Sequence, residues 1–122
     1  MRTPLITAAA CAIEGALGPA LSGKMRITIS PDSLAARCYA VSEVSEMFTC
    51  TYELNPEFET TLRNHGLRIS GRTDPGEARI VEHSGNRFFI ATLFQPQLSS
   101  TADSPHPLIV GLLKTAMSSP RD

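Results

Sequence analysis

Between Leu67 and Phe94, three strand-type runs alternate with two turn signals, and this spacing constrains the fold more than any other feature of the chain. Leu67-Arg68-Ile69-Ser70 is followed by Asp74-Pro75-Gly76, and Ala78 to Glu82 by Ser84-Gly85-Asn86. The series ends on a near-continuous apolar run, Phe88 to Phe94. Strand-length runs separated by Gly, Pro and Asn turns fold back on themselves, so the stretch predicts an antiparallel β-meander. A continuous apolar run implies cover on both faces, which predicts Phe88 to Phe94 as a central strand.

Upstream, Met25, Ile27 and Ile29 alternate with Arg26 and Thr28, the period of a half-buried strand over Lys24 to Ser30. Ser33 suits the N-cap of a short helical turn over Leu34 to Arg37. Strand-favouring types then recur through Val44, Met47, Phe48 and Tyr52, predicting a second strand over Glu46 to Glu53. Asn55, Pro56, Glu57 and Glu59 form a helix start: a capping side chain, a proline at the first helical position and acids in the positive first turn. Phe58 and Leu62 share a face, and Gly66 suits the left-handed residue after the helix.

Thr7 to Leu17 reads as a short apolar helix ending before Gly18-Pro19. At the other end, Leu108, Ile109, Leu112, Leu113 and Met117 make one apolar stripe, predicting a terminal helix packed on the sheet. Ser118 to Asp122 is expected to fray. The outline is a single α/β (α+β) layer structure across residues 1–122.

At 122 residues, one domain is expected, since two would each be too small to bury a proper core. Hydrophobic residues are 42% and charged residues 19%, which excludes wholesale disorder. Eleven Lys+Arg and twelve Asp+Glu are scattered and nearly cancel, so a phosphate-tracking nucleic-acid binder is not expected. No run approaches the roughly 18 apolar residues of a membrane span. The first residues mimic a signal peptide, but Pro4 and the short Ala-rich core argue against that reading. Cys11, Cys38 and Cys50 are odd in number and follow no metal-binding spacing, so reduced thiols in a cytoplasmic protein without metal or cofactor are expected.

Several collinear blocks resemble one family: Tyr52-Glu53-Leu54-Asn55-Pro56-Glu57-Phe58, Gly66-Leu67-Arg68-Ile69-Ser70-Gly71, Ile80-Val81-Glu82-His83, Phe88 to Phe94, and His106-Pro107-Leu108. Their order and spacing, from about Met25 to Met117, are similar to the C-terminal half of the glutaminase domain of the CTP synthases, a class I glutamine amidotransferase. The resemblance implies a truncated amidotransferase-like sheet with a β-meander, flanking helices and a C-terminal helix. It also implies a cysteine nucleophile, a histidine base and an orienting glutamate that release ammonia from glutamine through a thioester. If Cys11-Ala12-Ile13-Glu14 continues the match, the nucleophile falls near Leu5. The elbow strand and oxyanion donors would then lie before residue 1.

The family's histidine and glutamate come from an F-H-P-E segment, where this chain reads Phe94-Gln95-Pro96-Gln97. Gln95 and Gln97 are therefore degenerate triad positions, because an amide does not titrate near neutrality. The family's substrate-holding arginine before the Tyr-Glu pair is replaced by Thr51. No phosphate-binding loop of the G-x-x-x-x-G-K-[ST] type is present.

These residues suggest a protein that no longer hydrolyses glutamine and binds a partner protein or small ligand, homodimerisation being the simplest cover for the apolar run. The alternative is a small repurposed, cofactor-free enzyme of isomerase, cyclase or hydro-lyase type. It would draw on Glu53, His106 or Cys50 as catalytic candidates, with Thr51, Tyr52 and Phe94 lining the ligand site. A third possibility is a gene fragment. Against the catalytic candidates stand plainer readings: Cys50 as a small buried hydrophobe, His83 as a turn residue, His106 as a ring packed at a helix start, and Glu53 as a solvated carboxylate.

Overall fold

The computed structural model describes residues 5–8, 23–48, 52–74 and 76–118. In chain order the elements are β1 (Ile6–Ala8), β2 (Gly23–Ile29), α1 (Leu34–Tyr39), β3 (Glu43–Phe48), β4 (Tyr52–Leu54), a 3-10 turn (Pro56–Phe58), α2 (Glu59–Asn64), β5 (Leu67–Arg72), β6 (Ala78–His83), β7 (Ile90–Thr92), a second 3-10 turn (Pro96–Leu98) and α3 (Pro107–Met117). Five strands form one antiparallel sheet in the order β3-β2-β5-β6-β7, while β1 pairs with β4 separately.

The local signals act as their chemistry requires. Ile27 and Ile29 of β2 are buried while Arg26 and Thr28 face solvent, the alternation expected of a half-buried strand. Ser33 Oγ accepts the Ala36 amide at 3.0 Å and caps α1. Asn55 Oδ1 accepts the Glu57 amide at 3.0 Å, and Pro56 opens the following turn. Gly66 has φ +92°, a conformation that a side chain would strain. β5, β6 and β7 are consecutive neighbours, which is the predicted meander.

The core is a cluster of Ile27, Ile29, Ala35, Ile80, Phe94 and Leu108, contributed by both helix and sheet. Full burial of Ile27 or Ile80 contributes about 1.5–3 kcal/mol each. Gly71 lets β5 approach β6 closely, because a Cβ there would lie 2.6 Å from the Ile80 side chain.

Four expectations need correction. The run 88–94 is not a central strand: only Ile90–Thr92 is strand, and it lies at the sheet edge. Its aromatic residues go to different places, with Phe89 44% exposed and Phe94 buried beyond the strand, so the run has no single covered face. β6, not β7, is the strand with most residues buried.

The run 46–53 is likewise not one strand. β3 ends at Phe48 and β4 begins at Tyr52 in the other sheet, because Tyr52–Leu54 pairs with β1. Thr7 and Ala8 belong to β1 instead of a helix, and the rest of the predicted N-terminal helix lies outside the described residues.

Finally, the apolar stripe of α3 is only partly covered. Leu108 is buried, but Leu112 is 49% and Leu113 56% exposed. The helix is set by its contact with α1 at Gly111, where a Cβ would lie 2.5 Å from Cys38 Sγ. That contact turns the small-residue side inward and leaves the leucines outside.

Candidate functional site

The sheet brings its two edges near each other where the chain leaves β7. Leu93 donates its amide to Arg79 O at 2.9 Å, and two residues later Gln95 donates to Met47 O of β3 at 3.2 Å. β3 is the opposite edge strand, so the segment after β7 bridges the open side of the curled sheet. Phe94 is buried at that bridge. Gln95 is half-buried and extended, and Gln97 is exposed within the 3-10 turn Pro96–Leu98.

His106 enters the same place from α3. It is buried and serves as the helix N-cap, its Nδ1 accepting the Leu108 amide at 3.1 Å. Because Nδ1 accepts, the proton of the neutral ring sits on Nε2, which lies 2.6 Å from Glu46 Oε2. Tyr39 at the end of α1 donates its hydroxyl to the same Glu46 oxygen, and that hydroxyl is 3.4 Å from His106 Nε2. The Tyr39 ring stands edge-on to the imidazole at 5.5 Å, and Phe94 lies at 6.5 Å. A tyrosine, a glutamate and a histidine thus form one buried cluster directly behind Phe94.

Burial and then the hydrogen bond to Glu46 push the Tyr39 hydroxyl far above the usual phenol range. Glu46 Oε1 is buried without a hydrogen-bond partner among the described residues, leaving one side of the carboxylate unsatisfied. Both His106 ring nitrogens are engaged, one by the α3 backbone and one by Glu46. An arriving substrate would have to displace one of these bonds to exchange a proton with the ring.

Of the residues singled out in the sequence, the structure brings His106, Phe94 and Gln95 to one region and puts Gln97 at its exposed rim. Glu53 and Tyr52 are placed only by the backbone of β4, where Glu53 pairs with Thr7 and Tyr52 with Ala8. Cys50 and Thr51 lie outside the described residues. His83 is half-buried at the β6–β7 turn, where its Nδ1 accepts the Gly85 amide at 3.0 Å.

Glu46 and Tyr39 were not anticipated. The signal for Glu46 is the alternation of β3: Val44, Glu46 and Phe48 share a face, so a carboxylate occupies a core-facing position between two hydrophobic residues. Cys38, half-buried between α1 and α3, has its thiol pKa raised by burial and is poorly disposed to act as a thiolate. Among the described residues, no group of three or more His, Cys, Asp or Glu could hold a metal ion.

No family model matches the chain. The CTP synthase of Methanocaldococcus jannaschii is 40% identical over 104 residues, which cover 80% of this chain and 19% of that one. The CTP synthase of Methylorubrum extorquens is 35% identical over 112 residues, covering 90% and 21%. The chain thus spans about a fifth of the length of the curated relatives it matches. Among solved structures, the glutaminase domain of Trypanosoma brucei CTPS with bound acivicin superposes with a TM-score of 0.84 at 26% identity, covering 97% of this chain and 47% of that one. The sequence similarity and the class I glutamine amidotransferase-like fold agree, and both liken the chain to the glutaminase domain of the CTP synthases.

Proposed function

We propose that this chain is a glutamine amidotransferase-like protein that does not hydrolyse glutamine and acts by binding a partner protein, a second copy of itself or a small ligand. The observation that carries the reading is the pair of amides, Gln95 and Gln97, in the segment that bridges β7 and β3. The resemblance puts the family's proton-carrying histidine and its orienting glutamate at these positions. An amide offers hydrogen bonds but neither takes up nor releases a proton near neutrality, so the general-base step has no group there.

His106 is a poor substitute, with its two nitrogens committed to Leu108 and Glu46. The reading as a small repurposed enzyme therefore draws no support from that ring. A binding role is favoured by the apolar side chains left outside: Phe89 beside the edge strand, and Leu112, Leu113 and Met117 on α3. The same reading takes the chain as cytoplasmic; among the described residues, no helix is long and apolar enough to cross a membrane.

The test incubates the purified chain with L-glutamine and follows ammonia and glutamate, with and without an added CTP synthase synthetase domain. The expected result is no release above a heat-denatured control. Sustained hydrolysis of glutamine would overturn the proposal. Light scattering on the same sample reads the homodimer directly, and a monomer at every concentration would leave only the partner and ligand forms of the reading.

A further inference from the structure

A second region of the molecule has nothing to do with Gln95 or His106. Where α1 begins, beside β5 and the β6–β7 turn, a cavity of about 220 Å³ is lined by Arg37, Arg68 and Arg87, together with Asp32, Glu82 and Asn86. Three guanidinium side chains thus line one spot, in a chain whose formal charge is -1.

Glu82 is buried and accepts the Leu34 and Ala35 amides at 2.8 and 3.2 Å, so both its oxygens are committed to the start of α1. Elsewhere Arg26, Arg72 and Arg79 each lie within ion-pair distance of a glutamate. By contrast, neither Arg37 nor Arg68 makes an ion pair with a carboxylate among the described residues. Arg68 gives its two terminal nitrogens to the Pro31 and Asp32 carbonyls, at 2.8 and 3.1 Å, which fixes the group without cancelling its charge. Arg87 is anchored toward α3 by the Thr115 carbonyl at 3.4 Å. Guanidinium groups offer planar forks of donors that match an oxyanion, and these come from α1, β5 and the β6–β7 turn around one partly open cavity.

We propose that this cavity binds a phosphate-sized oxyanion, either free phosphate or the phosphate end of a metabolite. The site needs neither a glutamine pocket nor a catalytic group, and it stands or falls separately from the loss of glutaminase activity.

The test titrates the full 122-residue chain at constant ionic strength with inorganic phosphate and, in parallel, with glycerol 3-phosphate. Binding is read by phosphorus NMR and by the shift in Tm. Saturable binding is expected, weakened about tenfold in R37Q and in R68Q and unchanged in R26Q, as the loss of one charge-assisted contact predicts. Tighter binding of glycerol 3-phosphate assigns the site to a phosphorylated metabolite, and equal binding assigns it to phosphate itself. Because Arg68 also holds the 31–32 carbonyls, R37Q decides the matter if R68Q unfolds. Absence of saturation, or equal weakening in R26Q and R37Q, would overturn the proposal.

Discussion

The imidazole Nε2 of His106 lies 2.6 Å from Glu46 Oε2, across 60 positions of sequence. That contact ties the N-terminus of α3 to the core face of an edge strand. Tyr39 adds α1 through the same carboxylate oxygen. Three elements that share no backbone hydrogen bonds of a sheet are thereby joined through one buried carboxyl group, and the arrangement has direct consequences for stability.

Removing a hydrogen-bond partner from a buried carboxyl group costs about 1–3 kcal/mol and losing a helix cap about 1 kcal/mol more, so both losses together amount to about 2–4 kcal/mol. His106→Ala removes the partner of Glu46 and the cap of α3 together, so a loss in that range is expected. Tyr39→Phe removes one hydrogen bond to a carboxylate that keeps His106, and is expected to cost about 1–2 kcal/mol. Urea unfolding followed by circular dichroism measures both. Equal, small effects for the two variants would show that the cluster does not hold the fold together.

Close approach of α3 to α1 depends on the missing side chain at Gly111. A Cβ there would lie 2.5 Å from Cys38 Sγ and 3.3 Å from the Phe88 ring. Helix propensity favours Gly111→Ala by about 1 kcal/mol, but overpacking costs about 1–3 kcal/mol, so net destabilisation is expected. Cys38→Ala should relieve the clash, so the double variant G111A/C38A is expected to be more stable than the sum of the two single changes predicts. A double-mutant cycle in urea reads the coupling, and strict additivity would mean that α3 shifts freely.

Much of the fold was legible because its signals are local. The caps at Ser33 and Asn55, the left-handed Gly66 and the turns of the meander depend on residues within a few positions of each other. What the sequence could not show was which neighbour each apolar surface would meet. Phe88 to Phe94 looked like one covered strand because hydrophobicity records no direction, whereas Phe89 points outward and Phe94 packs beyond the strand end. The α3 leucines looked core-facing because their spacing is helical, yet the helix is oriented by a glycine against Cys38. The Glu46 cluster was hidden for a related reason: its three members come from distant elements, and only the break in the β3 alternation hinted at it. The proposed loss of the family's histidine and glutamate at Gln95 and Gln97, by contrast, rests on the resemblance and on side-chain chemistry rather than on placement.

Stability is expected to fall with alkalinity in two stages. Burial raises the thiol pKa of Cys38, and burial together with the Glu46 hydrogen bond raises the hydroxyl pKa of Tyr39. Both groups are neutral when protonated, so a higher pKa in the folded state means that folding favours the protonated form. Their contributions are complete below the unfolded values, about 8.5 for cysteine and about 10 for tyrosine, and are lost as pH rises above them. Above pH of about 10 the Tyr39 contribution should decline by up to about 1.4 kcal/mol per pH unit. Urea midpoints from pH 7 upward check this. Tyr39→Phe should flatten the steeper limb, and an unchanged slope in that variant would rule Tyr39 out as its cause.

Glu82 is the last group whose removal has a definite expected outcome. Its two carboxylate oxygens accept the Leu34 and Ala35 amides, the first free donors of α1, from a buried position on β6. A carboxylate there satisfies donors that the helix cannot bond internally and lies at the positive end of the helix dipole. Glu82→Gln keeps one acceptor and turns an amide toward a donor, for an expected loss of about 1–2 kcal/mol; Glu82→Ala orphans both amides, for about 2–3 kcal/mol. Hydrogen exchange at Leu34 and Ala35 should accelerate in the same order. If Glu82→Ala unfolds at the wild-type urea concentration with unchanged exchange at those two amides, α1 is held by its contacts with α3 and the sheet rather than by the carboxylate.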